Sequence, residues 1–106
     1  MASSKGMLDY LTDQLSELQD VRWRAMMGEY ILYYQGKIVG GLYDDRLLVK
    51  PTASALSMMP DAPREIPYKG AREMLLVDRI DDAPFLRALL EAMIEELPAP
   101  KKRKLS

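Results

Sequence analysis

The chain has 106 residues and contains neither cysteine nor histidine. This length fits one domain with a single core. Without these two residue types there can be no disulfide, no zinc site built on thiolates or imidazoles, no thiol nucleophile and no Ser-His-Asp triad. Any catalysis would have to rest on carboxylates, lysine, tyrosine or a metal ion held by oxygen atoms. We expect a non-enzymatic protein without a metal or other cofactor.

The charge balance argues against a nucleic-acid-binding body. The 15 basic and 16 acidic side chains give a formal net charge of −1, and four of the basic ones lie between Lys101 and Lys104. Residues 1 to 100 alone therefore carry 11 basic against 16 acidic side chains, a net charge of −5. Phosphate binding requires a basic surface, so only the basic end could hold nucleic acid. A flexible solvated tail is the better explanation of these basic residues.

The hydropathy of the sequence indicates a cytoplasmic protein. No apolar run is long enough to cross a membrane, and no secretory signal is recognisable.

Residues 1–5 are small and polar, and we expect them to be disordered. From Gly6 to Leu18, apolar residues recur at steps of three and four, which predicts an amphipathic helix. The segment Val21 to Met26 then alternates as a half-buried strand does, and Gly28-Glu29 is expected to form a turn.

The stretch that follows predicts a meander of antiparallel strands. Tyr30 to Tyr34 is rich in aromatic and branched residues, which favour a strand. Gln35-Gly36 suits a two-residue hairpin turn, which requires positive φ. Lys37 to Tyr43 continues the sheet, and Asp44-Asp45 forms a second turn before the strand Arg46 to Lys50.

The remaining segments supply helices and the end of the sheet. Thr52 can cap a short helix over Ala53 to Met59. Residues 61–70 are rich in proline and predict a loop with one edge strand. Glu73 to Asp78 is apolar on both faces at its centre, which predicts a strand inside the sheet.

The clearest helix begins after Asp81 and Asp82, whose carboxylates can cap free amides, with Pro84 in its first turn. A broad apolar stripe follows at helical period, and it must lie on the sheet. The predicted architecture is a layer of helices on an antiparallel sheet, in the α+β class. Residues 6–97 form this single domain, and residues 98–106 form the basic flexible tail.

Several residues of the meander carry a resemblance to a known family. They are Arg24, Met26, Gly28, Gly36, Asp45 and Lys50. In this spacing they resemble the N-terminal domain of TfoX, the bacterial competence regulator also called Sxy, over residues 7–97. The chain departs from the family pattern at Met27, which replaces an aromatic residue, and at Glu29, which replaces a second glycine.

The resemblance implies a stand-alone copy of the regulator's N-terminal domain. Its expected fold is a curved antiparallel sheet flanked by helices, similar to type III secretion chaperones, and related members pair into dimers. The implied function is a regulatory or protein-interaction module.

Large aromatic residues on neighbouring strands suggest where a partner binds. They are Trp23, Tyr30, Tyr33, Tyr34 and Tyr43. If helices cover one face of the sheet, rings on the other face would be exposed unless a second subunit or a different protein covers them. We expect a homodimer or protein interface there.

Three further hypotheses concern small ligands and packing. Arg24, Arg46 and Lys50 could surround a sheet-edge pocket for a small ligand or anion, although pairing with a carboxylate of its own chain explains Arg24 better. Asp44-Asp45 could hold a divalent cation, but a hairpin turn needs no metal. The pairs Met26-Met27 and Met58-Met59 could form an adaptable binding surface, and core filling explains them better.

Overall fold

The computed structural model describes residues 3–98, which form one six-stranded sheet, three α-helices and a short 3-10 helix. The elements are α1 Lys5–Gln14, β1 Val21–Met26, β2 Glu29–Tyr34, β3 Lys37–Tyr43, β4 Arg46–Val49, α2 Ala53–Met58, β5 Arg64–Glu65, β6 Met74–Leu76, α3 Ala83–Met93 and the 3-10 helix Ile94–Glu96. The strand order is β1-β2-β3-β4-β6-β5, and every neighbouring pair is antiparallel. The predicted α+β class is confirmed.

Three two-residue turns join the first four strands. Met27-Gly28, Gln35-Gly36 and Asp44-Asp45 each have positive φ at both residues, between 52° and 87°. This is the backbone of type I′ hairpin turns, whose twist matches that of the flanking strands. The turn expected at Gly28-Glu29 is wrong by one residue, because Glu29 already pairs with Met26 in the sheet.

A β-bulge changes the register between β2 and β3. Leu32 pairs with Gly40 and Tyr33 pairs with Ile38, so that Val39 is an extra residue on β3. The simple alternation of faces is therefore interrupted. As a result Val39 and Leu42 both belong to the main core, while Tyr43 lies on the opposite face.

All three helices pack on one face of the sheet. They contribute Leu11, Ala55, Leu86, Leu89, Leu90 and Met93 to the main core, and the sheet contributes Leu32, Tyr34, Val39, Leu42, Leu47, Val49 and Leu75, followed by Val77 just after β6. We call this the covered face. The opposite side, the open face, holds only a small buried cluster of Tyr43, Leu48 and Met74.

Ser3 and Ser4, which belong to the segment 1–5 that the sequence predicts to be disordered, make contacts with the hairpin turns and with α1. The Ser3 backbone N–H donates to the Gly28 carbonyl oxygen at 3.1 Å. The Ser3 hydroxyl donates to Glu29 Oε1 at 2.7 Å and accepts from the Asp45 N–H at 3.0 Å. Ser4 caps α1, since its side chain accepts from the Met7 N–H at 3.1 Å. Residues 1 and 2, and the predicted tail from residue 99 onward, lie outside the described residues.

The other helices and strands agree with the sequence patterns, apart from their ends. In α2, the Thr52 hydroxyl accepts from the Ala55 N–H at 3.1 Å, as expected of a cap. In α3, Asp82 Oδ1 accepts from the Phe85 N–H at 3.0 Å. β6 lies between β4 and β5, inside the sheet as predicted. α1 is shorter than expected, ending at Gln14 rather than near Leu18.

Candidate functional site on the open face

A groove of about 490 Å³ crosses the open face. Its floor comes from β1, β2 and β3, and its wall comes from the segment that connects β5 to β6. Its lining residues are Met26, Ile31, Ile38, Gly40, Tyr43, Lys50, Pro51, Pro67, Tyr68, Ala71, Arg72, Glu73, Met74 and Pro98. The groove is therefore apolar at its base, with charged side chains in its lining.

Two tyrosines join the wall of the groove to its floor. The rings of Tyr43 and Tyr68 lie 6.1 Å apart at an interplanar angle of 54°, a tilted aromatic contact. Burial raises the pKa of the Tyr43 hydroxyl, and the neighbouring Tyr68 and Glu29 raise it further. The Tyr43 hydroxyl is therefore protonated at neutral pH and can act as a hydrogen-bond donor, while the Tyr68 ring remains largely exposed.

A second concavity of about 430 Å³, the arginine cleft, lies at the outer edge of the same sheet. It is lined by Asp20, Arg22, Trp23, Arg24, Tyr33 and Gly36. Arg22 Nε contacts Asp20 Oδ1 at 3.2 Å, and both side chains are largely exposed. Arg24 has no carboxylate partner among residues 3–98, so the expectation that it pairs within its own chain is not met there.

The structure divides the five predicted interface rings between the two faces. Tyr33 and Tyr43 lie on the open face. Tyr34 is buried in the main core, and Trp23 and Tyr30 pack against it from its margin. Two of the five rings, Tyr33 and Tyr43, are therefore placed on the face that the helices leave uncovered.

Sequence reasoning missed part of the groove. Ile31 and Ile38 lie on its floor, and Tyr68 lies on its wall. Tyr68 stands out in the sequence as a rare large apolar residue in a proline-rich loop. No pattern in that loop indicates that it folds over the sheet.

The three basic residues of the predicted anion pocket are separated. Arg24 lines the arginine cleft, and Lys50 lines the groove. Arg46 forms an ion pair with Glu65, and its Nε donates to the Tyr43 carbonyl oxygen at 3.1 Å. The predicted pocket, as an arrangement of these three residues, is wrong.

The acidic turn and the methionine pairs have structural contacts of their own. Asp45 Oδ1 accepts from the Ser4 N–H at 2.7 Å, and the Asp44 N–H donates to Glu29 Oε1 at 3.0 Å. Among residues 3–98 there is no group of three or more acidic side chains placed to hold a metal ion. Met58 and Met59 pack against the main core.

The six residues of the predicted family motif belong either to turns or to concavities. Those in type I′ turns are Gly28, Gly36 and Asp45. Met26 and Lys50 line the groove, and Arg24 lines the arginine cleft. The motif residues thus form part of the turns between the first four strands and supply side chains to the concavities.

Comparison with known proteins agrees with this motif. A sequence model of the TfoX N-terminal domain matches residues 13–93, most of the chain. The chain belongs to the TfoX N-terminal domain family. The resemblance carried by the meander is confirmed, and the family match extends through α3.

A relative of similar length supports the same assignment. The chain is 36% identical over 105 residues to an "Uncharacterized 12.7 kDa protein in trpE 5′ region" of Spirochaeta aurantia. The alignment covers 98% of this chain and 91% of that protein. No solved structure is significantly similar to the chain. Within residues 3–98, none of the helices has the length and apolar character needed to cross a membrane.

Proposed function

We propose that this TfoX N-terminal domain is a non-enzymatic protein-interaction module that contacts its partner through the groove of the open face. The observation that carries the proposal is that the helices within residues 3–98 all cover the same side of the sheet. The groove on the other side leaves apolar side chains in contact with solvent. Surfaces of this kind mark interaction sites in soluble proteins.

The composition of the groove fits a protein partner. Met26, Ile31 and Ile38 provide an apolar base that can be desolvated. Tyr43 and Tyr68 add rigid aromatic surface with polar hydroxyls, and aromatic and methionine side chains are enriched in protein interfaces. Lys50 and Arg72 can make polar contacts around this base.

The regulatory role and the oligomeric state belong to the same proposal. A module of this kind has its effect by binding, so a regulatory output would come from the protein that it holds. The resemblance to TfoX predicts a homodimer, and a second copy is one occupant that the groove could take. A partner of different sequence is the other.

The test compares two exposed isoleucines. Ile38 lies in the groove with 38% of its surface exposed, and Ile66, 52% exposed, lies outside it. Ile38→Asp places a charge in the groove, whereas Ile66→Asp makes the same chemical change elsewhere. We expect Ile38→Asp to dissociate a dimer, seen by sedimentation, or to abolish affinity capture of a partner. Ile66→Asp should do neither.

Two results would contradict the proposal. One is the finding that the wild-type protein stays monomeric at high concentration and that every protein it captures is also captured by Ile38→Asp. The other is thermal stabilisation by a metabolite or nucleotide in a ligand screen, which would favour the alternative of a small-ligand or anion-binding domain.

A further inference from the structure

We propose that β1 is a docking edge that adds an extended acidic segment of a partner protein as a seventh strand of the sheet. This inference rests on the proposed function and names the chemistry of the partner. It concerns the outer edge of the sheet, next to the groove.

The backbone of β1 is open on its outer side. β1 is the first strand of the sheet and pairs only with β2. Met26 and Glu29 flank a two-residue turn and therefore exchange hydrogen bonds, as do alternate residues back along the strand. The N–H and C=O groups of Val21, Trp23 and Ala25 consequently point outward, and no other segment among residues 3–98 hydrogen-bonds to them.

Side chains on the open face of β1 specify the charge of the added strand. Arg22 and Arg24 are two residues apart and project to the same face. Arg24 has no carboxylate partner among the described residues, and Arg22 makes one exposed contact with Asp20. Carboxylates at alternate positions of an added strand would lie beside these two guanidinium groups, which bind carboxylates in a bidentate geometry.

The same strand leads into the groove. Met26 ends β1 and lines the groove. A residue added beside Met26 would lie at the mouth of the groove, where an apolar side chain is accommodated. The segment that fits the edge is therefore acidic beside Arg22 and Arg24 and apolar beside Met26.

A second copy of this chain fits the edge poorly. If two β1 strands pair antiparallel about Trp23, so that the outward-pointing residues face each other, Arg22 of one copy lies opposite Arg24 of the other. Like charges directly opposite each other destabilise a strand pair, and charged side chains on edges protect sheets from self-association. The two arginines therefore select against self-pairing and in favour of an acidic strand.

A direct test uses the full chain and a short synthetic peptide that alternates Glu with Val and Thr and ends in Ile. Two control ligands are the same peptide with Lys in place of Glu, and an oligouridylate. Binding is measured by the fluorescence of Trp23, the single tryptophan, and by amide hydrogen exchange at Val21, Trp23 and Ala25. We expect the Glu peptide to bind at least tenfold more tightly than the Lys peptide, to protect these amides and to weaken as salt is added.

Charge reversal provides the matched variants. Arg22→Glu combined with Arg24→Glu should invert the preference, so that the Lys peptide binds more tightly. Arg64→Glu changes an exposed arginine on β5, at the opposite edge of the sheet, and should leave the preference unchanged.

Three results would overturn the inference: failure of the Glu peptide to bind at millimolar concentration, binding without protection of the three amides, or tighter binding of oligouridylate that depends on Arg22 and Arg24. None of these depends on Ile38, so the docking edge can fail while the groove remains an interface. Loss of partner binding in Ile38→Asp with no binding at β1 would retain the proposed function alone.

Discussion

Gly40 is a residue whose lack of a side chain permits the close approach of β3 to β4. A Cβ atom at this position would lie 2.0 Å from the Leu48 carbonyl oxygen and 2.7 Å from Val49 Cα. Both are backbone atoms of the neighbouring strand, so no side-chain rotation can relieve the overlap. The close pairing of β3 with β4 beneath the groove therefore requires glycine.

Gly40→Ala should destabilise the protein by about 2 kcal/mol, as expected for overpacking against backbone. Chemical denaturation measures the change. Gly6→Ala is the matched control, because a Cβ at Gly6 meets nothing within 4 Å. In helix α1 this control should be neutral or stabilising by up to about 1 kcal/mol. Equal denaturation midpoints for Gly40→Ala and the wild type would contradict the requirement for glycine in the close pairing of β3 with β4.

Turn residues show what sequence reveals at this scale. Gln35-Gly36 and Asp44-Asp45 were predictable, because Gly and Asp adopt positive φ more readily than most residues. Met27 was not, because methionine is no turn signal and here has a φ of 52°. At Met27 the pairing of Met26 with Glu29 overrides local preference.

Glu96 links α2 to the end of α3. Its carboxylate accepts from the Ser54 N–H at 2.9 Å and from the Ser54 hydroxyl at 2.6 Å. These hydrogen bonds, chiefly that from the Ser54 side chain, lower the pKa of Glu96 below its ordinary value of 4.5. The Asp82 carboxylate at the start of α3 also has a lowered pKa, caused first by the Phe85 N–H and then by Arg79.

The sign of this shift predicts the pH dependence of stability. A carboxyl group whose pKa is lower in the folded state stabilises the fold above its unfolded pKa, and this contribution is lost as the pH falls through the folded value. Glu96→Gln should therefore melt at a lower temperature than wild type at pH 7, and the difference should shrink as the pH is lowered to 3.

Glu91→Gln is the control for this experiment. The Glu91 carboxylate is exposed on α3, and no donor within residues 3–98 hydrogen-bonds to it. Its thermal melts should follow the wild type across the pH range. A gap between Glu96→Gln and wild type that stays constant with pH would show that the carboxylate charge does not stabilise the contact.

The elements differ in how far sequence determines them. α3 follows from Asp82, Pro84 and a broad apolar stripe, all of which are local signals. The face on which Tyr43 lies does not follow, because the extra residue Val39 interrupts the alternation of β3. The segment from Pro67 to Glu73 has no periodicity, and its position over the sheet depends on a distant contact between Tyr68 and Tyr43.

At the scale of the whole molecule, the acidic excess is unevenly distributed. Exposed carboxylates on and beside α1 and α3 include Asp9, Asp13, Glu17, Asp81, Glu91 and Glu95. The concavities of the open face instead contain four basic side chains, Arg22, Arg24, Lys50 and Arg72, against Asp20 and Glu73. A charge count from the sequence gives only the net charge and does not show that acidic and basic side chains lie on different surfaces. The candidate site is therefore only partly predictable from the sequence.

The rate at which each methionine is oxidised reports how exposed its side chain is. Met27 is 96% exposed at the tip of a turn, Met74 is 9% exposed beneath the groove, and Met93 is fully buried in the core. Peroxide treatment followed by peptide mapping should therefore oxidise Met27 first, Met74 more slowly and Met93 last. Oxidation of Met93 as fast as Met27 would contradict the described packing of α3 on the sheet. Met27 also serves as the internal reference, because its exposure does not depend on the groove.

The three two-residue turns also have a consequence for folding kinetics. Each of them closes the shortest possible loop between paired strands, and contacts that are local in sequence form quickly. We expect the hairpins of β1 to β4 to assemble early. The wall of the groove can form only after β6 has paired with β4, from which it is separated by more than 20 residues along the chain. Fewer hydrogen bonds hold that wall, so it should also be the region that opens at the lowest free-energy cost. The groove would then be completed last in folding, and its wall could move while the rest of the sheet stays intact.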